Sequence, residues 1–440
     1  MVVTSVNWEL YHQKLARVNS IVKRGRVTQV IGLTIEAQGL NAQVSELCHI
    51  TSAEGQASIP AEVMGFRDER TLLMPLGEMH GIGPGSTVRA TGSLLKVPVG
   101  EGLLGRVLDG LGNPIDSKGP IASSTAYPVA GSVPHPLGRI PISQPLETGV
   151  RAIDGFLTVG KGQRIGIFAG SGVGKSTTMG MIARHARANV SVIALIGERG
   201  REVQEFIQRD LGPDGLARSV VVVSTSDQPA LLRLKGAWSA TAIAEYFRDQ
   251  GQDVTFMMDS VTRFAMAQRE IGLAIGEPPA MKGYTPSVFA LLPKLMERTG
   301  AGERGTITGF YTVLVEGDDL TEPITDAVRS ILDGHIVLSR DLATQNHYPA
   351  IDVLDSVSRV MPAITDKPHR VAASQLRDLL ATYHKASDLI NIGAYAHGSN
   401  PAIDRAIALM PSILDFLRQG AHDPTPYDET LHRLHTIANT

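Results

Sequence analysis

The sequence predicts an α/β protein: a mainly parallel sheet flanked by helices in the middle of the chain, a small β-barrel before it and a helical bundle after it. Three observations carry this. Apolar runs at 165–169, 190–196, 220–223, 254–258, 307–315 and 336–338 alternate with helical patterns, as strands buried on both faces of a parallel sheet do. Residues 21–95 hold short alternating runs divided by Gly39, Gly55, Gly65 and Gly81-Ile82-Gly83-Pro84-Gly85, the mark of short strands in a barrel or sandwich. Beyond residue 366 apolar residues recur at helical spacing.

The composition bounds the answer. A chain of 440 residues is long enough for two or three domains. With 43% apolar and 19% charged residues it folds rather than staying disordered. A net charge of -3 and the lack of a basic run disfavour nucleic acid as a partner. The single cysteine, Cys48, leaves no disulfide framework within the chain and no thiolate zinc cluster. No basic-then-apolar leader pattern and no apolar run of about 18 residues is seen. The expected location is cytoplasmic, with any membrane process served by docking.

In chain order, Trp8, Tyr11, Leu15, Val18 and Val22 form one apolar stripe on a short helix over 1–20. It packs on its own domain or docks another protein. The barrel of 21–95 lacks aromatics interleaved with basic residues, so its expected role is structural. Residues 96–150 are rich in Gly, Pro and Asp and read as an extended connector with little regular structure. Residues 151–365 form the nucleotide domain and 366–440 the helical end, with helices expected over 370–383 and 402–418.

The chemistry sits just past strand ends, where ligands bind in parallel sheets. Ala169-Gly170-Ser171-Gly172-Val173-Gly174-Lys175-Ser176-Thr177 follows a buried run and opens a helix, the layout of a phosphate-binding loop with Ala169 in place of the first glycine. Its backbone N–H groups turn toward a phosphate and the helix N-terminus favours the anion. Lys175 reaches the β- and γ-phosphates, and the Ser176 hydroxyl suits magnesium. After the run 190–196 comes Gly197-Glu198-Arg199-Gly200-Arg201-Glu202. Glu198 there is either the group that orients or deprotonates water or a carboxylate that complements a helix dipole. Glu202 and Glu205 are expected on a solvent-facing helix. Asp259 closes the run 254–258 in a Walker B pattern and is the expected magnesium carboxylate. Arg263, one helical turn on, senses a γ-phosphate or pairs with a carboxylate. The Gly/Pro-rich stretch 272–285 is expected to be a mobile loop.

These stretches, with Gly149-Val150-Arg151-Ala152-Ile153-Asp154-Gly155, Asp259-Ser260-Val261-Thr262-Arg263 and Ser356-Val357-Ser358-Arg359-Val360-Met361, resemble the catalytic ATPases of flagellar and type III protein export. That family is similar to the catalytic β subunit of the rotary ATP synthase, and the resemblance covers nearly the whole chain. It implies a RecA-like ATP- and Mg2+-binding domain in a homohexameric ring. Glu198 would then activate water, Arg199 would help hold the γ-phosphate, and Arg359 would be an arginine finger reaching a neighbour's ATP. Tyr348, in His347-Tyr348-Pro349-Ala350, matches the place of an adenine-stacking aromatic; otherwise it is a packing residue. The implied partners are a stator-like regulatory protein at the N-terminus, a central coiled-coil stalk protein, export-gate membrane proteins, and export substrates with their chaperones. The flagellar branch fits better than the virulence-type injectisome. An ATP synthase subunit, a ring RNA translocase and a nucleotide-binding structural subunit are the rivals.

Overall fold

The computed structural model describes residue 8, residues 22–55, 58–315, 317 and 319–440. The helix expected over 1–20 lies, Trp8 apart, outside the described residues. The chain divides into two compact units, Met1–Leu95 and Lys96–Thr440.

In the first unit β1 (Arg24–Ile31), β2 (Thr34–Gln38), β3 (Glu46–Thr51), β4 (Ser58–Arg67), β5 (Arg70–Pro75) and β6 (Thr87–Leu94) close into a barrel of order β1-β2-β5-β4-β3-β6. The run read as 27–37 is a hairpin, because Gly32 turns the chain at φ 56. Alternate residues point inward, as Leu47 to Ile50 show, and Val27, Ile35, Cys48, Ile50, Val63, Leu73 and Val88 fill the barrel. Closure leaves no strand edge to pair with another chain. Burial raises the Cys48 thiol to about 12, which makes it an inert core residue.

The second unit carries the sheet. β7 (Lys96–Val99) pairs with β9 (Thr125–Pro128), and β8 (Arg106–Asp109) joins the main sheet beside β12 (Ser219–Ser224). The expectation of an extended connector with little regular structure of its own is therefore corrected. Its Gly- and Asp-rich turns hide an edge strand held by Asp116, whose carboxylate accepts from Arg106 Nε at 2.7 Å and from the Val107 amide at 3.0 Å.

From that edge the order is β8, β12, β11 (Val190–Ile196), β13 (Asp253–Asp259), β15 (Thr306–Leu314), β10 (Arg164–Ala169), β16 (Gly334–Leu338) and β17 (Ile351–Ser358). The short β14 (Gly300–Ala301) pairs antiparallel with β15. All neighbours on the main path are parallel except β17, which runs antiparallel to β16. The central strands are buried almost throughout and mainly apolar, because helices cover both faces. Gly180 lets the helix that follows β10 touch the turn at 206–211: a Cβ there would lie 2.8 Å from the Asp210 carbonyl oxygen.

The helical end comprises Lys367–Asn391, Pro401–Leu417 and Tyr427–Ala438, the first two capped by Asp366 and Asn400 with proline in the first turn. The third helix was not among those expected. Leu376, Ile413, Phe416 and Leu434 share one apolar core with Phe156 and the nucleotide domain. Phe156 and Phe416 meet edge to face at 5.8 Å. Among the described residues no helix is long and apolar enough to cross a membrane.

Candidate active site

Three strand ends converge. β10 ends at Ala169 and the chain turns through Gly172 (φ 78) and Gly174 (φ 93) into the helix Lys175–His185. A side chain would strain Gly174, so the tight turn that presents backbone N–H groups depends on it. β13 ends at Asp259, two strands from β10, and β11 delivers Glu198 one strand further on. The phosphate loop from Gly170 to Gly174 (Val173 apart), Lys175, Ser176, Thr177, Glu198, Arg199, Glu202, Arg263 and Arg340 line a cavity of about 590 Å³, of a size that suits a nucleotide, and Asp259 reaches it through its contact with Lys175. Val173, by contrast, is buried beneath the loop.

Lys175 ties the centre together. Its ammonium forms a short contact to Asp259 and lies 3.6 Å from Glu198 Oε1, too far for a hydrogen bond. Burial opposes the charge on Lys175, but Asp259 and Glu198 outweigh it and its pKa rises. Glu198 moves up to about 8, first because it is buried, then because Asp259 repels its charge; Lys175 opposes both. Among the described residues its buried Oε1 accepts no hydrogen bond. Thr312 Oγ1, on β15 between the two strands, donates to Asp259 Oδ1 at 2.8 Å and so fixes the carboxylate.

Hard oxygen donors suit magnesium: Ser176 lines the cavity, Asp259 contacts the Lys175 ammonium that also lines it, and Glu198 keeps an oxygen unsatisfied among the described residues. The residues present therefore fit that ion.

The remaining expected residues are placed as follows. Arg199 is largely exposed and bonds Glu202 at 3.2 Å. Glu202 does not simply face solvent, since it lines the cavity and its carboxyl group adds to the upward shift of Glu198. Arg263 also lines the cavity; its backbone N–H caps onto Ser260 Oγ at 3.3 Å, and its buried Nε has no partner among the described residues. Tyr348 is 42% exposed, and its ring stands 3.5 Å from where a Cβ on Gly174 would lie. Arg359 is not brought to this cavity. It follows Ser358, which faces Gly334, whereas Ala169 faces Leu338 at the other end of β16. Arg359 donates to the Leu332 carbonyl at 3.3 Å and lies at the opposite end of the strands.

Two residues at the site escaped sequence reasoning: Arg340, which lines the cavity, and Thr312, buried behind Asp259. Arg340 follows β16, and its guanidinium donates to the Ser171 carbonyl at 3.3 Å. The strand-end rule that singles out Asp259 applies to it equally. Thr312 was visible only as a hydroxyl inside an apolar run.

Over its length the chain matches known proteins. The nucleotide-binding domain of the ATP synthase alpha/beta family matches residues 149–358, that family's β-barrel domain matches 27–92, and the C-terminal domain of the type III secretion ATPase EscN matches 365–436. The flagellum-specific ATP synthase of Bacillus subtilis is 58% identical over 95% of this chain and 96% of its own length. The chain belongs to the family of flagellar and type III secretion ATPases. Within that family, the type 3 secretion system ATPase of Xanthomonas euvesicatoria is 52% identical over 94% of both chains. The assembled EscN from enteropathogenic E. coli superposes with a TM-score of 0.89 at 46% identity, over 94% of this chain and 100% of that one. EscN has also been solved with its central stalk EscO, and that structure superposes with a TM-score of 0.87.

Proposed function

We propose that this chain energises protein export through a flagellar type III apparatus by hydrolysing Mg-ATP in a ring of like subunits. The chain is an ATPase of its family, and the flagellar branch is favoured by its higher identity to the Bacillus protein. One observation carries the site assignment: Lys175, Glu198 and Asp259 meet beside the phosphate loop, while Arg359 stands at the far end of the strands.

Each residue then has a role. Backbone N–H groups of Gly170 to Gly174 cradle the phosphates, and Val173 holds the loop from beneath. Lys175 neutralises the β- and γ-phosphates, and Ser176 and Asp259 would hold the magnesium, with Thr312 orienting Asp259. When bound, that ion neutralises phosphate charge. Glu198 takes a proton from the attacking water or aligns it. Thr177 continues the helix N-terminus against the phosphates, Arg199 supports the γ-phosphate side, and Tyr348 stacks on adenine. Arg359 of one subunit meets the charge that builds on a neighbour's γ-phosphoryl group, a contribution of about 10³ to 10⁵ in rate.

The protein works in the cytoplasm at the membrane-bound export gate. Its N-terminal segment meets a stator-like regulator, the ring encloses a coiled-coil stalk, and the helical end meets substrates and chaperones. Turnover per subunit is expected to rise with protein concentration across the assembly range. A turnover that stays constant there would refute the shared-seam reading.

A further inference from the structure

We infer that Gln419 is a positioning residue for Tyr348, tying the adenine face of the site to the helical end of the chain. The inference rests on the reading of Tyr348 given above. Residues 418–425 link the helices Pro401–Leu417 and Tyr427–Ala438 without regular structure, yet they are bonded to the nucleotide domain at several points. The Gln419 amide N–H donates to the Tyr348 carbonyl at 2.9 Å. Its side chain is buried and fully used. Oε1 accepts from the Arg151 amide at 2.9 Å, and Nε2 donates to the Gly149 carbonyl at 2.8 Å and the Asp423 carbonyl at 2.7 Å.

The surroundings fix this residue further. The Arg151 guanidinium donates to the Phe416 carbonyl at 2.7 Å, the Asp415 carbonyl at 3.2 Å and the Arg418 carbonyl, closing the end of the helix just before Gln419. Arg184, in the last turn of the phosphate-loop helix, donates to the Ala421 carbonyl at 2.6 Å. The same short segment therefore holds the backbone of Tyr348 and the far end of the helix that Lys175 begins. Tyr348 is itself half exposed, and its ring stands beside Gly174. Its position depends on its main chain, and Gln419 is what grips that main chain from the helical end. A buried amide that has satisfied every donor and acceptor leaves unpaired groups behind when it is removed.

The test separates the base from the phosphates. Affinities for Mg-ATP and for Mg-tripolyphosphate, which has no base, are measured by calorimetry on full-length wild type, Gln419→Ala, Tyr348→Ala and the double variant. Stacking on an aromatic gives the base its share of affinity. The expected result is that Gln419→Ala weakens ATP roughly tenfold, leaves tripolyphosphate unchanged, and adds nothing to Tyr348→Ala. Gln419→Glu keeps the acceptor for Arg151 but sets an oxygen against two carbonyls, and the same split is expected. A Gln419→Ala that binds ATP normally, that adds its full effect to Tyr348→Ala, or that loses tripolyphosphate to the same extent overturns the inference. Tyr348→Ala with unaltered ATP affinity instead overturns the stacking role of Tyr348.

Discussion

The placement of Arg359 makes the sharpest prediction. Within one chain, Ser358 pairs with Gly334 and Leu338 pairs with both Ala169 and Ile351. Four to five residues at about 3.3 Å each put Arg359 roughly 15 Å from the phosphate edge along the strands, with two strand spacings of about 4.8 Å to cross as well. The guanidinium cannot reach the phosphate loop of its own subunit. Consider Lys175→Ala, which ruins the cradle, and Arg359→Ala, which removes the cation. Each alone is expected to lose about 10³-fold or more in turnover. Mixed one to one by co-expression, a seam works only when the cradle comes from the Arg359→Ala subunit and the cation from the Lys175→Ala subunit. In a head-to-tail ring about one quarter of seams meet that condition, whatever the number of subunits. Phosphate release by the mixture should thus rise far above that of two nearly inactive parents, to a quarter of the wild-type rate if each seam fires independently and to less if consecutive seams are coupled. A mixture no better than its parents, or an Arg359→Ala enzyme at wild-type speed, would refute the reasoning.

Other outcomes follow from the carboxylates and their supports. Glu198→Gln should bind ATP normally and lose about 10²- to 10⁴-fold in kcat, checked by equilibrium binding and single-turnover phosphate release. Because burial and Asp259 push Glu198 up to about 8, its basic form grows in as pH rises through 8. kcat/KM for ATP should climb over that range in the wild type and stay flat in Glu198→Gln. The same shift makes the native state bind a proton more tightly than the unfolded chain, whose carboxyl titrates near 4.5. This contribution to stability is full below that value and is lost as pH rises through 8, so Glu198→Gln should gain in melting temperature relative to wild type at pH 9. Thr312→Val removes the hydroxyl that fixes Asp259 and should weaken magnesium activation about 10- to 100-fold, read from the metal dependence of turnover.

Much of this was legible beforehand because it depends on local pattern. The buried strands announce themselves as unbroken apolar runs, and the phosphate loop and Asp259 follow from what ends such runs. The edge strand Arg106–Asp109 was not legible: four residues among glycines and aspartates carry no periodicity, and only pairing with Ser219–Ser224 makes them a strand. Glu202 was misjudged because a position early on a helix says nothing of what faces it; the cavity does. Thr312 and Arg340 owe their roles to strand order, which brings β15 between β10 and β13 and puts the end of β16 beside Ser171. Sequence spacing does not encode that adjacency.

The antiparallel strand Ile351–Ser358 closes one side of the sheet with Tyr348 just before it and Arg359 just after it. In the ring proposed here, those two residues answer to different nucleotides, one held by the subunit itself and one by its neighbour. Eight stiff residues then act as a lever between consecutive sites. A shift that seats one base would be felt as a displaced cation next door, and firing around the circle could be timed by the span of a single strand.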